Sequence, residues 1–283
     1  MSPNLQVRHF SALGSTCELM AVGASPAALE RCQALVLDAD ARLTRFVRDS
    51  ELSQLNAANG RPMPASSLLY GMLEAGLHAY EASGGLVNIA VLPALCAAGY
   101  DRPFRLGLSE PSTLHPPVTP ALPDVLWLDP ASHTVGVAPG AALDLGGIAK
   151  GALADLLIAE LGENAVCNLG GDLRVRGAGP RGDGWHVGLC DGSAVALTDG
   201  GIATSGTTRR RWGKGMHHLV DPRTGLPVYT DLTEVSVVTG TALHAEIYAK
   251  TAVLMGSAHG LPFLSQRADH FAVVAPPVPA AAA

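Results

Sequence analysis

An α+β fold is predicted for this 283-residue sequence: a single domain of mixed or antiparallel β-sheet covered by helices. Three observations carry that reading. Stretches of helical period and stretches of strand-like alternation both occur, but without the regular β-α-β order of a parallel sheet. Apolar residues make up 48% of the chain, enough for a proper core. The clearest irregular stretch, 103–123 with six prolines, reads as an excursion within one domain.

Ser25-Pro26 supplies an N-cap and a first helical residue, and Leu29, Cys32, Val36, Ala39 and Leu43 follow at helical spacing. A second helix begins near Ser66 or Ser67, runs through Leu69, Leu73, Leu77 and Tyr80, and stops at Gly84-Gly85. Segments 125–128 and 134–137 bracket the turn-like Asp129-Pro130 as a hairpin. A helix then spans Ala149–Leu161, with Leu153, Leu157 and Leu161 on one face and Gly162 as its stop. Further strands are expected at 173–176, 185–189, 194–197 and 234–238, and a last helix at Ala242–Met255. Residues 276–283 read as a disordered, low-complexity tail.

The net charge of −6 argues against general binding to nucleic acid or acidic membranes. The one basic run, Arg209-Arg210-Arg211 with Lys214, reads as a solvated face. Five scattered cysteines without a CxxC spacing read as reduced thiols. No apolar window approaches a membrane span, and the N-terminus lacks the pattern of a secretory signal, so a cytoplasmic location is expected.

The most informative stretch is 143–151, where an apolar run reaches Asp144, breaks on Gly146-Gly147 and starts a helix at Ala149. Such a junction can hold a phosphorylated ligand: glycines admit close backbone N–H groups, the helix start is electropositive, and Lys150 adds a cation. It fits neither GxGxxG nor GxxxxGK[ST]. A carboxylate at Asp144 needs partners if buried, and two roles stand open, capping the loop or contacting a ligand. In 218–225, alternation puts His218 and Val220 on one side of a short strand, braced by an Asp221-Pro222 turn, so that His218 suits a general base. His217 points to the opposite face. Thr204-Ser205-Gly206 offers hydroxyls and a tight turn, and Glu246 and Lys250 stand four apart, as an intrahelical ion pair would.

Read in order, these segments resemble the ApbE-type FAD:protein FMN transferases. The resemblance rests on Leu13-Gly14-Ser15-Thr16, on 46–52, on 144–151, on Asn168-Leu169-Gly170-Gly171-Asp172, on Ala203-Thr204-Ser205-Gly206, and on 218–225 with the helix after it. It implies an ApbE-like domain over residues 1–275. It implies an enzyme that cuts the pyrophosphate of FAD, joins FMN through phosphate to a threonine or serine hydroxyl of an acceptor flavoprotein, and releases AMP. Mg2+ is implied with it, because two phosphates crowd charge that a divalent ion can neutralise.

By the same resemblance, His218 stands next to the acceptor hydroxyl, Asp144 and Lys150 contact FAD, and Val220 touches it through its backbone. Leu13, Phe46, Leu86, Val87 and Asn88 line the flavin or adenine pocket. Gly147 matches a position whose carbonyl reaches the metal, and Glu246 and Lys250 stand at the family's other metal positions. The sequence departs from the family there: Asn88 replaces a charged aspartate, Phe46 a tyrosine, Glu246 an aspartate and Lys250 a threonine. An ammonium cannot ligate Mg2+, and the neighbouring Thr251 sits about 100° round the helix. Lys250 is therefore read as a fixed charge in the ion's place, paired with Glu246 when no ligand is present. FAD pyrophosphatase, with water replacing the acceptor, and an FAD-binding protein without transfer are the alternative readings.

Overall fold

The computed structural model describes residues 4–113, 116–213 and 215–275. It opens on the hairpin β1 (Leu5–Ala12) and β2 (Ser15–Val22), closed by Leu13-Gly14 with both residues at positive φ, 54° and 65°. Two left-handed residues are what a tight hairpin turn asks for, and leucine is an uncommon choice there. Helix α1 (Pro26–Leu43) begins where the sequence places it. Ser25 accepts the Ala28 N–H, and Leu29, Cys32, Val36, Ala39 and Leu43 are buried along one stripe.

Next come α2 (Glu51–Ala57), the short β3 (Met63–Pro64) and α3 (Ser67–Ala82), which is capped by Ser66. Helices α4 (Leu92–Ala97) and α5 (Leu122–Val125) flank the proline-rich excursion, which carries one 3₁₀ turn at Phe104–Leu106. Strands β4 (Leu126–Asp129) and β5 (Thr134–Val137) form the predicted antiparallel hairpin. Helix α6 (Ala149–Leu161) has the predicted bounds, and burying Leu153, Leu157 and Leu161 stabilises it by about 1.5–3 kcal/mol each.

The chain continues through β6 (Ala165–Leu169), β7 (Asp172–Arg176), β8 (Trp185–Gly188), β9 (Ala194–Leu197) and β10 (Asp199–Gly206). It ends with β11 (Arg211–Trp212), β12 (Met216–His217), β13 (Glu234–Thr239), α7 (Ala242–Met255), α8 (Ser257–Ser265) and β14 (His270–Val274). Seven strands make one sheet in the order β1-β2-β6-β7-β10-β13-β14, and each neighbouring pair is antiparallel. Alternation divides its faces. Cys167 and Leu169 of β6 enter the main core with α1, α3 and α6, whereas Val166 joins Val175, Ile202 and Trp185 beneath the β8–β9 hairpin.

Helices α6 and α7 cross so closely that a Cβ on Gly151 would stand 2.6 Å from the Ala242 carbonyl oxygen. Only glycine permits that approach. Each helix also caps the other. Asp155 of α6 accepts the Ala242 and Leu243 N–H groups at 2.9 Å each, and Glu246 of α7 accepts the Gly151 N–H at 2.9 Å.

Two sequence expectations are corrected. Thr204-Ser205-Gly206 is not a turn but the end of β10, because cross-strand pairing with β13 continues to Gly206 opposite Glu234. Strand alternation does not orient His218, since β12 stops at His217 and the chain bends there. Lys214 and the tail at 276–283 lie outside the described residues. Among the described residues no helix is long and apolar enough to cross a membrane.

Candidate active site

The β1–β2 turn, the end of α1, the start of α6 and the bend at His218 enclose a cleft of about 1250 Å³, above the usual range for one small molecule. The sequence-predicted residues converge on it. Leu13, Phe46, Leu86, Val87, Asn88, Asp144, Gly147, Lys150, His218, Val220, Glu246 and Lys250 all line its wall.

The floor is the Asp144–Gly151 junction. Asp144 takes the first of the two roles open to it, capping the loop: Oδ1 accepts the Gly146 N–H at 2.8 Å, while Oδ2 is ion-paired with Arg45. Lys150 is not the solvated first-turn lysine its position suggests. Its Nζ is ion-paired with the buried Asp172 and lies 3.9 Å from Glu246. Burial pulls the ammonium pKa down, but Asp172 and Glu246 outweigh it and raise Lys150 above the ordinary lysine value. Burial pushes the Asp172 carboxyl upward against the pull of Lys150, with Glu246 adding to the rise.

Arg210 belongs to this cleft, contrary to its reading as part of a solvated basic face. It lines the wall, and its guanidinium is 3.6 Å from where a Gly14 Cβ would stand.

His218 follows β12, and Asp221-Pro222-Arg223-Thr224 behind it is the predicted turn. The Asp221 carbonyl accepts Thr224 N–H at 3.2 Å and Gly225 N–H at 2.8 Å. The Nδ1 of His218 is buried without a hydrogen-bond partner among the described residues. Burial first, then Arg210 and Lys250, push the imidazole down to about 3, so the ring is neutral and keeps a lone pair. His217 turns away, as expected, with Nε2 3.1 Å from the Val228 carbonyl.

At the other end, Arg45 stacks over Phe46 at 4.2 Å and Tyr100 at 4.7 Å and hydrogen-bonds the Tyr100 carbonyl at 2.8 Å. Phe46 remains 36% exposed on the cleft wall. Asn88 lines the cleft, but its amide is used locally: Oδ1 accepts Ala90 N–H at 2.9 Å and Nδ2 donates to the Pro120 carbonyl at 2.8 Å. Val220 is tied through an antiparallel bridge to Pro227.

The metal positions do not fit a divalent ion. The Nζ of Lys250 donates to the Gly147 carbonyl, the oxygen a cation would need, and also lies 3.9 Å from Glu246. Its nearest contact is thus the carbonyl, not the simple helical partner. Thr251 turns its hydroxyl into its own helix, onto the Ile247 carbonyl at 2.7 Å. Among the described residues no group of three or more His, Cys, Asp or Glu is placed to hold a metal.

Sequence reasoning did not single out Arg45, and it met Asp172 only as the end of the 168–172 segment, without a role. Arg45 meets Asp144 across 99 residues and Lys150 meets Asp172 across 22, so no local spacing signals either pair.

A model of the ApbE family matches residues 13–275. The FAD:protein FMN transferase of Treponema pallidum (strain Nichols) is 32% identical to this chain, covering 89% of it and 80% of the relative. That of Klebsiella pneumoniae (strain 342) is 29% identical, covering 95% and 89%. Among solved structures, the ApbE protein from Thermotoga maritima MSB8 matches with a TM-score of 0.80 at 22% identity, covering 96% of this chain and 94% of that one. The apo form of the Pseudomonas stutzeri flavinyl transferase ApbE matches at 0.78 and 21%, covering 97% and 96%. At these identities the structural matches show the fold.

Proposed function

This chain belongs to the ApbE family, and from that premise we propose that it is an FAD:protein FMN transferase acting on a threonine or serine hydroxyl of an acceptor flavoprotein. The observation that carries the reading is the buried Nδ1 of neutral His218, without a hydrogen-bond partner among the described residues, in the same cleft as Lys150 and the start of α6. A neutral imidazole, with one ring nitrogen free of a proton, stands beside cations suited to a pyrophosphate.

In the reaction, the acceptor oxygen bonds to the FMN phosphorus and gives its proton to His218. The bond from that phosphorus to the bridging oxygen breaks, and the electron pair leaves with AMP. Lys150, Lys250 and Arg210 supply positive charge for the two phosphates, and Asp172 and Glu246 hold the lysines in place. Arg45 fixes Asp144 and the Phe46 ring against which a flavin or adenine can stack. A divalent ion is given no part in these steps, because Lys250 occupies the carbonyl it would need.

Incubation with FAD and an acceptor carrying a threonine, followed by mass spectrometry, tests the proposal. Covalent FMN on the acceptor with one AMP released is the expected result. Free FMN with AMP indicates the pyrophosphatase instead, and intact bound FAD indicates a binding protein.

A further inference from the structure

Lys250 is enclosed on the cleft floor with its ammonium on the Gly147 carbonyl oxygen. The floor is shaped around it. A Cβ on residue 147 would stand 2.4 Å from Nζ, so any side chain larger than hydrogen displaces the ammonium. The groups that would turn this place into a metal site are committed elsewhere. One Glu246 oxygen accepts the Gly151 N–H at 2.9 Å, and the other lies 3.9 Å from both Lys150 and Lys250. The nearby hydroxyl of Thr251 faces into the helix.

A cation arriving at the Gly147 carbonyl would meet Lys250 head on, and like charges at such separation repel strongly when water is excluded. An FAD pyrophosphate, by contrast, brings two negative charges to a cleft wall that carries Lys150, Lys250 and Arg210, with Asp172 and Glu246 beside the two lysines. The fixed ammonium supplies at that spot what an ion would be recruited to supply, without a binding equilibrium of its own.

We infer that Lys250 is the resident cation of the site, standing where a divalent ion would otherwise meet the Gly147 carbonyl, so that this chain binds FAD and transfers FMN without a divalent metal. The inference rests on the transferase reading. FAD binds with the same affinity in chelator and in excess Mg2+, and covalent transfer proceeds in both. The charge that builds on the departing AMP phosphate is met by the protein's own lysines.

The test uses the full-length chain and two readouts, FAD titration by flavin fluorescence in chelator or Mg2+, and Mn2+ binding by electron paramagnetic resonance with FAD present. The wild type is expected to give dissociation constants within about twofold of each other in the two buffers and a free-ion Mn2+ spectrum. Lys250→Thr combined with Glu246→Asp is expected to lose about tenfold or more in FAD affinity in chelator, regain it with Mg2+ and bind Mn2+ stoichiometrically. If that variant does not fold, the wild-type measurements decide.

Stoichiometric Mn2+ on the wild type, or transfer that stops in chelator, overturns the inference and leaves the transferase reading intact. Metal-indifferent FAD binding without any covalent product sinks the transferase reading and supports the role of Lys250. No FAD binding in either buffer overturns both.

Discussion

Lys150, in the first turn of α6, is ion-paired with Asp172 at the start of β7, and the carboxylate is only 3% exposed. The pair fixes the cation that the helix start presents to the cleft. A buried ammonium stripped of its partner is costly, whereas an apolar pair in the same space is tolerated. Asp172→Ala should therefore lower stability by about 3 kcal/mol, and Asp172→Leu with Lys150→Met should recover most of that loss. FAD binding should be lost in the double variant, which no longer carries the Lys150 ammonium. Urea denaturation beside FAD titration separates these effects, and recovery of binding with stability would remove Lys150 from the site.

His218 yields a pH prediction with a definite sign. Its folded pKa, about 3, lies below the ordinary 6.5 because the ring is buried among Arg210, Lys250, His217 and Lys150. In the free folded protein its ring resonances should not titrate between about pH 5 and 8. The unfolded chain takes up a proton as pH drops through 6.5 and the folded chain does not. Its stability contribution is thus complete above that pH and is lost progressively as pH falls toward 3. His218→Ala should cut transfer by about 10²–10⁴-fold with FAD still bound, and should lessen the acid sensitivity of folding. A ring that titrates near 6.5 would contradict this account.

Much of the architecture was legible because local rules act at short range. Ser25-Pro26 and the stripe from Leu29 to Leu43 set α1, and glycines at the ends of α6 and α7 mark where they stop. The cleft residues were legible as segments in order. What joins them was not. The Arg45–Asp144 pair, the Lys150–Asp172 pair and the Lys250 contact with Gly147 depend on chain packing over 99, 22 and 103 residues. The same packing drew Thr204-Ser205-Gly206 into β10, where its turn-like composition yields to pairing with β13.

Arg45 does three things that a lysine cannot do together: it stacks on Phe46 and Tyr100, pairs with Asp144 and bonds the Tyr100 carbonyl. A planar guanidinium is required for stacking with simultaneous directed bonds. Arg45→Lys should keep the charge yet weaken FAD binding about tenfold, through loss of the ordered Phe46 face. Asp144→Asn should weaken it as well by releasing the guanidinium. If Arg45→Lys binds FAD as the wild type does, charge alone matters and the stacked geometry is incidental.

The reciprocal capping of α6 and α7 makes a residue outside the cleft matter inside it. Asp155 holds the Ala242 and Leu243 N–H groups and is 3.2 Å from Arg174, so it sets where α7 begins and therefore where Glu246 and Lys250 stand. Asp155→Ala should cost about 1–2 kcal/mol in stability through the lost caps. FAD affinity should fall with it, although Asp155 does not line the cleft. Burial raises the Asp155 carboxyl above its ordinary value, so part of its charge is a liability, and the neutral Asp155→Asn, which keeps one acceptor, should cost less than alanine on both measures. Thermal denaturation and FAD titration of the two variants check the ordering. A loss of stability with unchanged FAD affinity would mean that the Gly151–Glu246 bond alone positions α7.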